Sequence, residues 1–134
     1  MEKQHAEFLM NRINACPFNA ANGIYAVSVE EGSAVVAADL TESSKNIWGI
    51  PHGGLLYTLG DVACGLATQS VHDGRTVTVS GTLNYLRSAG KETQRLTGVG
   101  TVIKSGRSMA FVRVEIRDEG ENLLATGQYV AHLS

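Results

Sequence analysis

With only two cysteines, Cys16 and Cys64, far apart in the chain, there is no disulfide framework and no C-x-x-C metal site. That scarcity favours a reduced, cytoplasmic setting, with Cys64 in an apolar helical pattern as a small core residue rather than a nucleophile. Basic residues are equally sparse: none of the 11 Lys and Arg stands next to another, and the net charge is -2, so a nucleic-acid binder is not expected. No stretch approaches the ~20 consecutive apolar residues of a membrane span, and Met1-Glu2-Lys3-Gln4-His5 lacks an apolar signal core, so neither membrane association nor export is expected. Metal ligation is not expected either, because His5, His52, His72 and His132 are dispersed and none opens an H-x-x-x-H pattern. There is no internal repeat and no low-complexity segment. What remains is 134 residues, 43% of them hydrophobic and 18% charged, the composition of one compact domain over residues 1–134.

Periodicity gives the elements. Glu7 to Ala15 reads as a short amphipathic helix stopped by Cys16-Pro17, and a core region runs from about 23 to 132. Ile24 to Glu30 and Ser33 to Asp39 are β-rich runs joined by Glu31-Gly32 as a hairpin. After a polar connection from Thr41 to Pro51, Leu55, Leu59, Val62 and Leu66 draw an apolar stripe along the only long helix, which runs to about Val71. Everything beyond His72-Asp73-Gly74-Arg75 reads as strand: Thr76 to Leu86, Gln94 to Ile103, Ser108 to Asp118 and Asn122 to Ala131. With no β-α-β alternation, the expected class is α+β, one antiparallel sheet with its last four strands in meander order against one long helix. Such a sheet leaves edges open, and oligomerisation would close them.

The chemistry concentrates between Asn46 and Asp61. His52-Gly53-Gly54 opens the long helix, so unhindered backbone N–H groups and the helix dipole outline a site for negative charge. Asn46, six residues before His52, offers a side-chain N–H to complete it, and Asp61 lies two turns after Gly54. Each feature alone has a plain alternative: Gly-Gly as loop chemistry, Asp61 as a solvated residue, His52 as a cap. Along Thr76 to Tyr85, the even-numbered Thr76, Thr78, Ser80, Thr82 and Asn84 form a polar row opposite Val77, Val79, Leu83 and Tyr85. Arg87, Lys104 and Arg107 are basic residues on or next to turns. Trp48, Tyr57 and Tyr85 could line an aryl pocket, and each is equally plausible as core or interface.

Asn46, His52-Gly53-Gly54 and Asp61 in that spacing, followed by Thr82-Leu83-Asn84-Tyr85-Leu86-Arg87-Ser88-Ala89, resemble the hotdog-fold acyl-CoA thioesterases of the phenylacetate-degradation and 4-hydroxybenzoyl-CoA type. The resemblance covers roughly Gly23 to His132, with one departure, Ser88 where many relatives carry proline. It implies a sheet wrapped around the central helix and hydrolysis of acyl-CoA, aryl or short to medium, to free acid and coenzyme A. Gly53 N–H would polarise the thioester carbonyl with Asn46, and Asp61 would act as base or nucleophile from the neighbouring subunit of a dimer or a tetramer built as a dimer of dimers. His52 joins the catalytic set. Thr78, or in competition Ser80, would supply an assisting hydroxyl. Gly54, Ser80, Arg87, Lys104 and Arg107 would bind the substrate with its coenzyme A part, Arg107 foremost. No cofactor is implied beyond coenzyme A itself, because a thioester carbonyl needs only one oxyanion site and one prepared water. The alternative is a non-catalytic acyl-CoA or aromatic-ligand binding hotdog module, which would gain nothing from Asp61. A dehydratase would carry a differently placed His and acid pair.

Overall fold

A computed structural model describes all 134 residues. Helix α1 (Lys3–Ala15) ends where expected, before Pro17, and buries Leu9. It begins four residues earlier than the apolar spacing suggests, because polar residues extend its first turn without needing to pack. A second short helix, α2 (Pro17–Ala21), starts on the proline itself, whose fixed φ suits the first helical position. Strands β1 (Ile24–Glu30) and β2 (Ser33–Asp39) form the hairpin at the bounds expected.

Helix α3 (Gly53–Gln69) buries Leu55, Leu56, Leu59, Ala63, Cys64, Leu66 and Ala67 and touches all six strands. Full burial of Leu59 and Leu66 contributes about 1.5–3 kcal/mol each. The sheet comes close to the helix where glycine makes room: a Cβ on Gly100 would stand 2.8 Å from the Ala63 carbonyl oxygen. The remaining strands are β3 (Thr76–Tyr85), β4 (Arg95–Ser105), β5 (Met109–Asp118) and β6 (Leu123–Leu133).

All pairings are antiparallel and the order is β1-β2-β4-β5-β6-β3, the hotdog fold. The expected meander therefore holds only for β4, β5 and β6. β3 pairs with the far side of β6, and residues 86–94 carry the chain back across the N-terminal end of α3 to set β4 beside β2. That crossing buries Ala89 and covers a helix end that a meander would leave bare.

The two outer strands differ. At β1 the Ala26 N–H, on the free edge, donates to Asn14 Oδ1 of α1 at 2.9 Å, and both short helices pack against the strand. β3 has no such cover. It carries no charged residue and no proline, and Val77 and Val79 are exposed along it.

Candidate functional site

The loop before α3 is built as an Asx turn. Asn46 Oδ1 accepts from Trp48 N–H at 2.9 Å and Ile50 N–H at 3.4 Å, its carbonyl oxygen accepts from Gly49 N–H at 3.0 Å, and Gly49 takes φ +75°. Spending the amide oxygen on the turn fixes the orientation of the side chain, so Nδ2 is the end turned outward. His52 N–H donates to the Ser44 carbonyl oxygen at 2.8 Å and ties the loop to the helix start.

Four N–H groups at the start of a helix need outside partners. Leu55 and Leu56 donate to the His52 carbonyl oxygen, and Gly54 donates to His52 Nδ1 at 2.8 Å, which makes the imidazole the N-cap. Accepting there places any single imidazole proton on Nε2. The expectation of several free donors is corrected to one: Gly54 N–H is occupied by His52, and Gly53 N–H alone has no partner.

Asn46, Gly53 and Arg87 share one cleft of about 370 Å³, whose apolar walls are Ile50, Pro51, Leu56, Leu86 and Ala89, with Tyr85 beside them. Tyr85 donates to the Gly53 carbonyl oxygen at 2.6 Å, a contact that the spacing of glycines does not signal. Burial and the neighbouring Tyr57 hold the Tyr85 phenol above its ordinary value, so it remains a donor at neutral pH. Arg87 donates to Asn122 Oδ1 at 3.3 Å at the rim. A larger depression of about 730 Å³ lies elsewhere. Arg95 pairs there with Asp39 at 2.8 Å and Lys45 with Glu42 at 3.3 Å, and the depression holds none of the candidate residues.

Asp61 is not in that cleft. It is half-buried on α3, and Thr78 Oγ1 donates to its Oδ1 at 2.5 Å while Oδ2 makes no hydrogen bond. The even-numbered polar row on β3 is corrected by a β-bulge at Val79, between Thr78 and Ser80, which reverses the alternation. Thr78 is opposite Ala131 and Gly81 opposite Tyr129, both core residues, whereas Ser80 is opposite Val130 on the outer face. Thr76, Thr78, Gly81, Leu83 and Tyr85 thus face α3, and Ser80, Thr82 and Asn84 face away from Asp61. Bulges of this kind leave no mark in a run of alternating Thr and Val.

Beneath the site, Tyr129 is fully buried and donates to the Tyr57 carbonyl oxygen at 2.8 Å, and Tyr57 Oη donates to the Gly81 carbonyl oxygen at 3.3 Å. Burial first, then Tyr57 and Asp61, push the Tyr129 phenol far up. Desolvation, reinforced by Asp61, pushes the Cys64 thiol up to about 12, which leaves it without nucleophilic character. Lys104 and Arg107 sit at the β4–β5 hairpin, at the Thr76 end of β3 and so at the opposite end of the sheet from Arg87 and Gly53. No group of three or more His, Cys, Asp or Glu side chains converges anywhere in the chain, and no helix is long and apolar enough to cross a membrane.

A Deinococcus radiodurans protein named "putative esterase" is 38% identical over 90 residues, a match that covers 66% of this chain and 60% of that protein. The 1,4-dihydroxy-2-naphthoyl-CoA hydrolase of Listeria monocytogenes is 30% identical over 102 residues, 76% of this chain and 83% of its own. The Escherichia coli PaaI protein, from the phenylacetic acid degradation operon, superposes with a TM-score of 0.85 at 27% identity, over 98% of this chain and 92% of its own. The model of the thioesterase superfamily matches residues 49–125, from the Asx turn through most of the sheet, and the chain belongs to that superfamily.

Proposed function

We propose that the protein hydrolyses acyl-CoA thioesters to a free acid and coenzyme A, at a site completed by two copies of the chain. One observation carries this reading. Gly53 and Asp61 are eight residues apart on one continuous helix, about 12 Å along its axis at ~1.5 Å per residue. Gly53 N–H, like every N–H of an α-helix, points toward the N-terminus and hence away from Asp61. A base must come within ~3 Å of the proton it takes, so the donor and the carboxylate of one subunit cannot act on the same thioester.

The free edge of β3 supports a way to bring them together. Asp61 is tied to Thr78 and Gly53 to Tyr85, near the two ends of that strand. Antiparallel pairing of β3 with its copy, about a two-fold axis near Gly81 and Thr82, would set Thr78 and Asp61 against Tyr85 and Gly53 of the partner subunit. It would also cover Val77 and Val79 and bring Lys104 and Arg107 toward the partner's Arg87, so that basic groups from both subunits flank the coenzyme A phosphates.

Gly53 N–H and Asn46 Nδ2 then hold the carbonyl oxygen as it gains charge. Asp61 acts as general base: Thr78 holds one carboxylate oxygen, and the free one takes a proton from water as the water oxygen bonds to the carbonyl carbon. Collapse of the tetrahedral intermediate breaks the carbon–sulfur bond, and the departing thiolate takes up that proton. No cofactor enters, coenzyme A arriving as part of the substrate. A cleft of about 370 Å³ with apolar walls suits an aryl or short acyl group, in keeping with the naphthoyl-CoA substrate named for the Listeria relative. A cytoplasmic location fits a coenzyme A substrate.

A panel of aryl, short and long acyl-CoA esters assayed by thiol release tests this, with light scattering on the same samples. Turnover of aryl or short esters by a dimer or larger assembly is expected. Binding of acyl-CoA with no thiol release would leave only a binding module, and full activity in a monomer would overturn the shared site.

A further inference from the structure

The first peptide unit of α3 is gripped at both ends by side chains rather than by the helix ladder alone. Tyr85 Oη, from β3, donates to the Gly53 carbonyl oxygen at 2.6 Å, and His52 Nδ1 accepts from the Gly54 N–H at 2.8 Å. Those two atoms belong to the same peptide plane. The Tyr85 ring also packs on Gly53, its nearest atoms 3.5 Å from where a Cβ would stand. Two successive glycines have no side chain to restrict φ and ψ, so without outside contacts this turn would be soft. The adjoining N–H, that of Gly53, is the one free donor at the helix start.

We propose that Tyr85 is a positioning residue of this site: its hydroxyl and ring fix the Gly53–Gly54 peptide, and through it the direction of the Gly53 N–H, without touching the reacting atoms. This rests on the thioesterase reading above. It differs from a role as a plain wall of the cleft, in which the ring would matter and the hydroxyl would not. Although Tyr85 is 52% exposed, its phenol is the group that crosses from strand to helix.

Tyr85→Phe keeps the ring and deletes the hydroxyl. The expected result is a fall in kcat of about tenfold, less than the loss of an oxyanion donor itself, with KM for the acyl-CoA ester within about twofold and the melting temperature little changed. A second readout follows the carbonyl directly. With a ¹³C-labelled thioester bound to the Asp61→Asn protein, infrared spectroscopy should show a carbonyl band moved to lower wavenumber by the donors, and adding Tyr85→Phe should return part of that shift. Unchanged kcat, or a loss carried wholly by KM with the carbonyl band unmoved, would overturn the proposal and leave hydrolysis itself intact. If the wild-type protein hydrolyses no thioester, the functional reading fails first. The geometric claim is then decided by the Gly53 amide resonance of the free protein: displacement in Tyr85→Phe upholds it, and an unmoved resonance refutes it.

Discussion

The beginning and the middle of α3 carry opposite chemistry. At its start, backbone and amide N–H groups face an apolar-walled cleft, with Gly53 N–H free and Asn46 oriented by the turn it closes. Two turns on, a half-buried carboxylate is held by a threonine on the edge strand. The first region offers donors for negative charge and no carboxylate; the second offers a carboxylate and no oxyanion donor. One helix thus carries both parts of the proposed site, eight residues apart, and a free strand edge runs beside both.

The largest effect should come from breaking the carboxylate half. Asp61→Ala should lower kcat and kcat/KM together by at least ~10²-fold while a non-hydrolysable acyl-CoA still binds, because the lost interaction forms only in the transition state. Fold stability should be unchanged or slightly higher, since a carboxylate leaves a largely apolar helix. Retained turnover, or activity lost in proportion to unfolding, would remove Asp61 from the chemistry.

A smaller effect sharpens the same half. Thr78→Val should cost about tenfold in kcat, the order of one hydrogen bond to a charged group, and Ser80→Ala should leave kcat unchanged because Ser80 faces the other side of the sheet. The reverse ranking would mean that the bulge at Val79 does not set which hydroxyl serves Asp61.

That pair of residues also shows how far the sequence could be read. Amphipathic periodicity located α3 and every strand to within two residues, because burial on one face imposes a period that survives in composition. Hotdog topology followed from the motif, whereas the place of β3 beyond β6 did not, since strand order depends on where the 86–94 crossing goes and that segment has no periodic pattern. Motif spacing drew attention to Asn46, Gly53 and Asp61. His52 as the helix cap is a local feature, two residues from Gly54, and is legible in the sequence. Motif spacing could not show that Tyr85 reaches Gly53 or that one extra residue in β3 turns Ser80 away, because each is a tertiary or register event with no local signature.

Weaker still should be the charges at the rim. Arg87→Ala and Arg107→Ala should each raise KM for a complete coenzyme A thioester several-fold and leave a short thioester without the nucleotide unaffected, with the difference shrinking as salt rises. An effect from Arg87 alone would detach the β4–β5 hairpin from the site. The smallest test concerns reactivity: at neutral pH a thiol reagent should label Cys16 in the native protein and spare Cys64, buried and pushed up to about 12. Rapid labelling of both would show that the middle of α3 is open to solvent.

Subunit complementation tests the shared site most directly. Asp61→Ala lacks the base and Asn46→Asp lacks a donor while keeping the oxygen that closes its turn, so each alone should be nearly inactive. Unfolded together and refolded at equal concentration, they should recover about a quarter of wild-type thiol release, since half the dimers are mixed and one of the two sites in each is intact. If the donor and the base of one subunit worked together, every site in the mixed dimers would carry a defect, and mixing would restore nothing.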